Sequence, residues 1–171
     1  MASSSAKATE DEPLTETEEE AGAKKERMEN EKIDELVKKA VVADLGGLDI
    51  LAGYSYEDLA KCYNGIGPEF LPAGARAKVT DYLSLFEPAA LIHDVRYDDS
   101  DGSRYGFNFA NLEFRENCFK LARAAYPWYS WRRYRAYLAA EALFSAVASE
   151  AGWVAYLESF SKKRQTQKEE Q

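Results

Sequence analysis

The chain has 171 residues, 46% hydrophobic and 13% aromatic, which is enough for one domain with its own core. The formal net charge is −8, and −6 of it falls in residues 1–34, where eleven acids meet five bases. Residues 35–171 are therefore close to neutral at −2, which argues against nucleic acid as a partner; no apolar run approaches the ~18 residues of a membrane span.

Residues 1–32 combine this acidity with few large apolar side chains, Met28 among them, and read as a disordered N-terminal arm. The first residues, Met1 to Lys7, carry no apolar stretch of the kind a secretory signal needs. Two cysteines, Cys62 and Cys118, are too few for a disulfide scaffold and have no partners at zinc spacing. The expected location is intracellular and cytoplasmic, with peripheral membrane association left open. Whether the two cysteines pair is open as well, and so is the oligomeric state.

A helical domain is expected over residues 33–162. Ile33, Leu36, Val37, Ala40 and Val41 recur at helical spacing, with a stop at Gly46-Gly47. Ser55 is placed to cap a short helix ending near Cys62. Gly65, Gly67, Pro68, Pro72 and Gly74 make residues 63–74 a loop. A helix over Ala75–Leu85 should follow, then another that opens with Pro88 at its first position and ends at Tyr97 or Asp98. Asp98 to Ser103 is a turn. It leaves room for a small hairpin over 99–107, and it fails as an EF-hand because Tyr97 and Asn108 fall at ligand positions. A helix from Phe107 to Ala125 stops at Pro127. The last helix, Ser130 to Lys162, is long and bent near Gly152, and residues 163–171 form a polar, frayed tail. Tyr126 to Arg135 is aromatic and basic, which suits a membrane interface. Aromatics that begin a helix are nevertheless expected mainly in the core, as are Trp153, Tyr156, Leu157 and Phe160.

The only histidine is His93, followed directly by Asp94. Helical spacing puts Ala90, Asp94 and Tyr97 near one face with His93 beside them, and turns Leu91 and Val95 to a neighbouring helix. Adjacent helical residues do not face each other, so His93 and Asp94 serve different partners. A glycine loop, Tyr63-Asn64-Gly65-Ile66-Gly67-Pro68, lies upstream, and Ala110-Asn111-Leu112-Glu113-Phe114 lies downstream.

Loop, Ala89-Ala90-Leu91-Ile92-His93-Asp94-Val95-Arg96-Tyr97 and Ala110-Asn111-Leu112-Glu113-Phe114, in that order, resemble the phospholipase A2 family. The short intracellular, fungal, bacterial and viral members are the nearest in pattern, and the resemblance covers about residues 60–122. It implies an all-α fold with two antiparallel helices and a glycine calcium loop, joined here by flanking helices and a long C-terminal helix. It implies Ca²⁺ held by Asp94 and the carbonyls of Tyr63, Gly65 and Gly67, with Asn64 as an alternative to one of them. It implies His93 as the base that activates water against a phospholipid ester, within hydrogen-bonding reach of residue 111, and Tyr97 as the hydroxyl that ties down the second helix. The family carries a carboxylate where this chain has Asn111; an amide oxygen can still accept from N–H, but it brings no charge. Glu113 and Glu116 are nearby at the wrong helical phase.

Two functions follow: calcium-dependent hydrolysis of a phospholipid ester, or a catalytically weakened phospholipase-like module that binds calcium, lipid or protein. A helical scaffold without a site is the third reading. Structural roles compete at each position, since a lone histidine is often a core residue, Asp94 could pair with Arg96, and the glycines could serve only a turn.

Overall fold

The computed structural model describes residues 18–63 and 82–169, and every regular element in it is helical. In chain order these are α1 (Glu18–Val42), α2 (Leu48–Leu51), α3 (Tyr56–Cys62), α4 (Leu83–Asp98), α5 (Arg104–Ala125), α6 (Trp131–Val147) and α7 (Glu150–Glu169). The protein is all-α. The loop expected over 63–74 lies, after Tyr63, outside the described residues, as does most of the helix expected over 75–85.

Helix α1 begins well before Ile33. Residues 18–32, read from the sequence as part of the irregular arm, are helical, and Arg27, Met28, Glu29, Glu31 and Lys32 are exposed. Extending an existing helix adds one hydrogen bond per residue fixed. Exposed i,i+4 pairs such as Arg27–Glu31 add a few tenths of a kcal/mol each. From Ile33 on, Ile33, Leu36 and Ala40 are buried, whereas Val41 faces solvent.

The helix stops before the glycines. Asp44 takes the left-handed conformation at φ 49°, Leu45 N–H donates to Ala40 O at 3.1 Å and Asp44 N–H to Val41 O at 3.1 Å. This is a Schellman cap with aspartate where glycine is usual. The Asn117 side chain on α5 then clamps the turn. Its Oδ1 accepts from Gly46 N–H at 2.7 Å and its Nδ2 donates to Gly46 O at 2.9 Å. Gly47, at φ 85°, starts α2, and a Cβ there would meet Ile92 Cγ2 at 2.6 Å. Ser55 caps α3 as expected, accepting from Asp58 N–H.

Helix α4 is the centre of the fold. It packs against α1, α2, α3, α5 and α7, and Phe86, Ala89, Leu91, Ile92 and Val95 are all buried. Pro88 lies inside α4 rather than at its start, because the helix already begins at Leu83. An interior proline costs about 3 kcal/mol or more. Each of Phe86, Leu91, Ile92 and Val95 gains about 1.5–3 kcal/mol by burial, so packing outweighs the lost hydrogen bond. The freed carbonyl belongs to Ser84, an exposed residue.

Helix α5 starts at Arg104, three residues earlier than the apolar pattern suggests, because the Ser103 side chain accepts from Gly106 N–H at 2.9 Å. The room left for a hairpin at 99–107 is taken by this turn and helix start. A Cβ at Gly106 would come within 2.4 Å of Tyr156 Oη and 2.5 Å of Asp101 Oδ1, so it would displace that hydrogen-bonded pair.

The expected single C-terminal helix is two. The chain breaks at Ala148-Ser149, and Gly152 then passes so near the end of α6 that a Cβ would lie 1.8 Å from Val147 O. Helix α7 continues to Glu169, so the start of the polar tail is helical, with Arg164 and Gln165 exposed. The aromatics at the start of α6 are also placed differently from expectation. Trp128, Tyr129, Trp131 and Tyr134 are exposed, because Ala136, Ala139, Ala140 and Leu143 form the buried stripe of that helix. Among the described residues of α7 only Tyr156 is fully buried, while Trp153, Leu157 and Phe160 are half-buried.

Replacing Asn117 with alanine removes both bonds to Gly46 and leaves half-buried backbone groups unpaired. The expected loss is about 2–4 kcal/mol of stability, read from urea unfolding. An Asn117→Ala variant as stable as the natural chain would show that this clamp contributes nothing.

Candidate functional site

Helices α4 and α5 run antiparallel. Going from His93 to Tyr97 along α4, the aromatic neighbour on α5 moves back from Phe114 to Phe107. The connection Asp99–Ser103 makes this possible with a short turn. Asp101 Oδ1 accepts from Ser103 N–H at 2.8 Å and from the Tyr156 hydroxyl at 2.9 Å. The Ser103 hydrogen bonds, then that of Tyr156, hold the Asp101 carboxyl below its ordinary range.

His93 is 6% exposed and turned toward α5. Its ring lies between Tyr97, with centroids 4.2 Å apart, and Phe114, at 5.0 Å. Its Nε2 is 3.0 Å from Asn111 Oδ1. The Tyr97 hydroxyl is 3.1 Å from the same oxygen and 3.4 Å from Val147 O, at the end of α6. Burial is the main reason the Tyr97 hydroxyl is pushed well above its ordinary range, so it acts as a donor. With Tyr97 donating to the nearer oxygen, Asn111 Oδ1 is the acceptor that faces the imidazole. Nε2 then carries the proton, and the lone pair is on Nδ1. That assignment follows from the hydrogen-bond network, as histidine tautomers and amide orientations generally do.

Nδ1 is on the other side of the ring, 3.7 Å from Asp94 Oδ1. This is too long for a hydrogen bond. One residue's rotation therefore splits the pair: His93 faces α5, and Asp94 faces the end of α3. Asp94 is 18% exposed. Tyr63, which ends α3, has its hydroxyl pushed up by burial first and then by the charges of Glu87 and Asp94. Cys62 is pushed up to about 12 by burial and then by Asp98, with Asp58 and Asp94 adding to it. The chain thus leaves α3 beside the Glu87–Asp94–Asp98 side of α4, where the glycine loop begins. Asn64, Gly65 and Gly67 lie outside the described residues.

Calcium needs hard oxygen ligands. Among the described residues, no group of three or more His, Cys, Asp or Glu side chains is placed to hold a metal ion. A donor set of one carboxylate and several backbone carbonyls would form no such group. Asp94 has the chemistry of such a carboxylate, and its charge acts on the Tyr63 hydroxyl at the end of α3.

Several features were not legible in the sequence. Arg96 does not serve Asp94; its guanidinium grips Glu113 with Nε–Oε2 at 2.9 Å and Nη2–Oε1 at 3.1 Å, tying α4 to α5. Glu113 is thereby occupied, while of the polar side chains on α5 it is Asn111 that reaches the imidazole. The Asn111 Nδ2 is buried without a partner. Phe114, whose ring lies 5.0 Å from that of His93, could have been found from its position one helical turn after Asn111. The cysteines do not form a disulfide with each other. Among the described residues no helix is long and apolar enough to cross a membrane.

No protein-family model, curated protein or solved structure matches the chain.

Cys118 is completely buried and its thiol is driven well above its ordinary range by burial alone. Since the thiolate is the nucleophile, both cysteines should alkylate slowly at pH 8 in the folded protein, with Cys62 speeding up as pH rises toward 12 and Cys118 reacting only on unfolding. Timed maleimide labelling with peptide mapping measures this. Rapid labelling of Cys118 without denaturant would contradict its placement.

Proposed function

We propose that the protein hydrolyses a phospholipid ester in a calcium-dependent reaction, with His93 activating the attacking water. The observation that carries this reading is the imidazole's two-sided setting. Nε2 is held by Asn111 Oδ1 at 3.0 Å, and Nδ1, with its lone pair, is turned away from α5 toward the Asp94 side.

In the reaction, Nδ1 takes a proton from water as the water oxygen forms a bond to the ester carbonyl carbon. The carbon–oxygen bond to the leaving alkoxide then breaks, and the imidazolium returns its proton to that oxygen. The products are a fatty acid and a lysophospholipid, and His93 ends neutral. Asn111 and Tyr97 keep the ring in place, and Phe114 and Tyr97 keep its faces dry. Asp94 and the carbonyls of Tyr63, Gly65 and Gly67, or of Asn64 in place of one, would hold the calcium. When bound, the ion would polarise the ester carbonyl as a Lewis acid.

A second reading rests on residue 111. When the imidazole gains a proton, the neighbouring amide offers no compensating charge, and its Nδ2 has no partner. In a Ser-His-Asp triad the exchange of aspartate for asparagine costs about 10⁴ in rate. A protein so weakened would be a binding module on a phospholipase-like frame.

The test is fatty-acid release from phospholipid vesicles, with calcium and with a chelator. Asn111→Asp should raise the rate about tenfold or more, by restoring a negative partner to the imidazolium. His93→Ala should abolish activity in both backgrounds. Asp94→Asn should weaken calcium binding, read by calorimetry, with an unchanged circular dichroism spectrum. A fall in rate with Asn111→Asp would mean that the amide belongs to a working variant site. Calcium binding without activity in either form would favour the binding module.

A further inference from the structure

We infer that the turn between α5 and α6, with the outer face of α6, is a docking surface for an anionic phospholipid bilayer. The inference uses no residue of the His93 site and stands apart from the hydrolytic reading.

Helix α6 carries two apolar stripes. Ala136, Ala139, Ala140 and Leu143 are buried in the fold. Trp131, Tyr134 and Leu138 repeat the same i, i+3, i+7 spacing but are exposed, Trp131 by 69%. The five-residue offset turns the second stripe about 140° round the helix from the first. Local structure explains why it cannot fold inward: the small alanines let α6 approach α5 closely, and that contact already uses the inner face. Just before it, the turn Pro127–Ser130, closed by Ser130 N–H to Pro127 O at 3.0 Å, projects Trp128 and Tyr129 into solvent. Trp128 is 83% exposed. Two of the chain's three tryptophans therefore sit on this one outward surface.

The sequence around them is rich in cations, and the nearest acid on the same face, Glu141, is paired with Arg115. Residues 117–140 hold Lys120, Arg123, Arg132, Arg133 and Arg135 and no acid, a net +5 in a chain of −8, so the rest carries −13. Lys120 is engaged with the Asp44 carbonyl and Arg133 Nε with the Tyr137 hydroxyl. Arg123 and Arg132 are exposed beside the aromatic turn. Exposed tryptophan and tyrosine with flanking arginine match the boundary between headgroups and acyl chains, and arginine near the surface favours anionic lipid. The convex turn gives a single-stranded nucleic acid no groove to follow. Two copies of this surface would bring arginines against arginines.

The experiment is flotation of the full chain with phosphatidylcholine vesicles, with and without phosphatidylserine, in a calcium chelator. Phosphatidylserine should raise partitioning about tenfold or more, and added salt should reverse it. Arg123→Glu with Arg132→Glu should remove that gain at unchanged melting temperature. Trp128→Ala with Trp131→Ala should abolish tryptophan quenching by brominated lipid. His93→Ala should bind as the natural chain does, so failure of the hydrolytic reading leaves this result intact. Equal partitioning with and without phosphatidylserine would overturn the inference. So would unchanged binding by the arginine variant, preference for a single-stranded oligonucleotide over vesicles, or self-association that the tryptophan variant abolishes.

Discussion

Burial of α4 on nearly every side is the constraint on which the rest depends. Five helices pack on it, and over Pro88–His93 the helix is buried without interruption. Its one imidazole is buried and must be answered by a neighbour, since an unpaired polar group in such surroundings costs about 1–3 kcal/mol. Asn111 supplies the answer from α5, and Tyr97 adds a second donor to the same oxygen. The orientation of the ring, and with it the nitrogen that is left as a base, follows from that packing rather than from the His-Asp sequence itself.

The helices around α4 are set by polar ties as much as by apolar contact. Arg96 and Glu113 join α4 to α5 through a two-bond pair, and the Arg96 guanidinium also lies over the Phe109 ring. Asn117 joins the same helix to the α1–α2 turn. The Tyr97 hydroxyl lies between the site and Val147 O, the last residue of α6, while Tyr156 packs edge-on against the Tyr97 ring. The break between α6 and α7 is therefore coupled to the site through one phenol. A straight C-terminal helix would carry Tyr156 away from both Tyr97 and Asp101.

Charge is distributed as unevenly as burial. The acids gather in the N-terminal region and along the α4 side that meets α3, where Glu87, Asp94 and Asp98 surround the end of that helix. The cations gather at the opposite end of α5. Near-neutrality of residues 35–171 as a whole conceals this separation, so net charge alone was a poor guide to what the surface can meet.

The sequence by itself determined the helical class, the cap at Ser55, the ends of α4 and α5 at Asp98 and Ala125, and the buried run Ile33, Leu36 and Ala40. These depend on local spacing, capping and proline, which act within a few residues. It also determined which residues could carry chemistry, because His93 has no competitor. Tertiary structure decided the rest. Pro88 reads locally as a helix start, yet the burial of α4 overrides the preference. Glycine at 46 and 47 reads as the helix stop, yet Asp44 takes the left-handed position, with Asn117 holding the turn that follows. The Trp and Tyr residues opening α6 read as core, yet the alanine stripe takes the inner face, since a helix can turn only one side to its neighbours. And Asn111, Glu113 and Glu116 all lie close in sequence; only the rotation of α5 against α4 decides that the amide meets the imidazole while Glu113 meets Arg96.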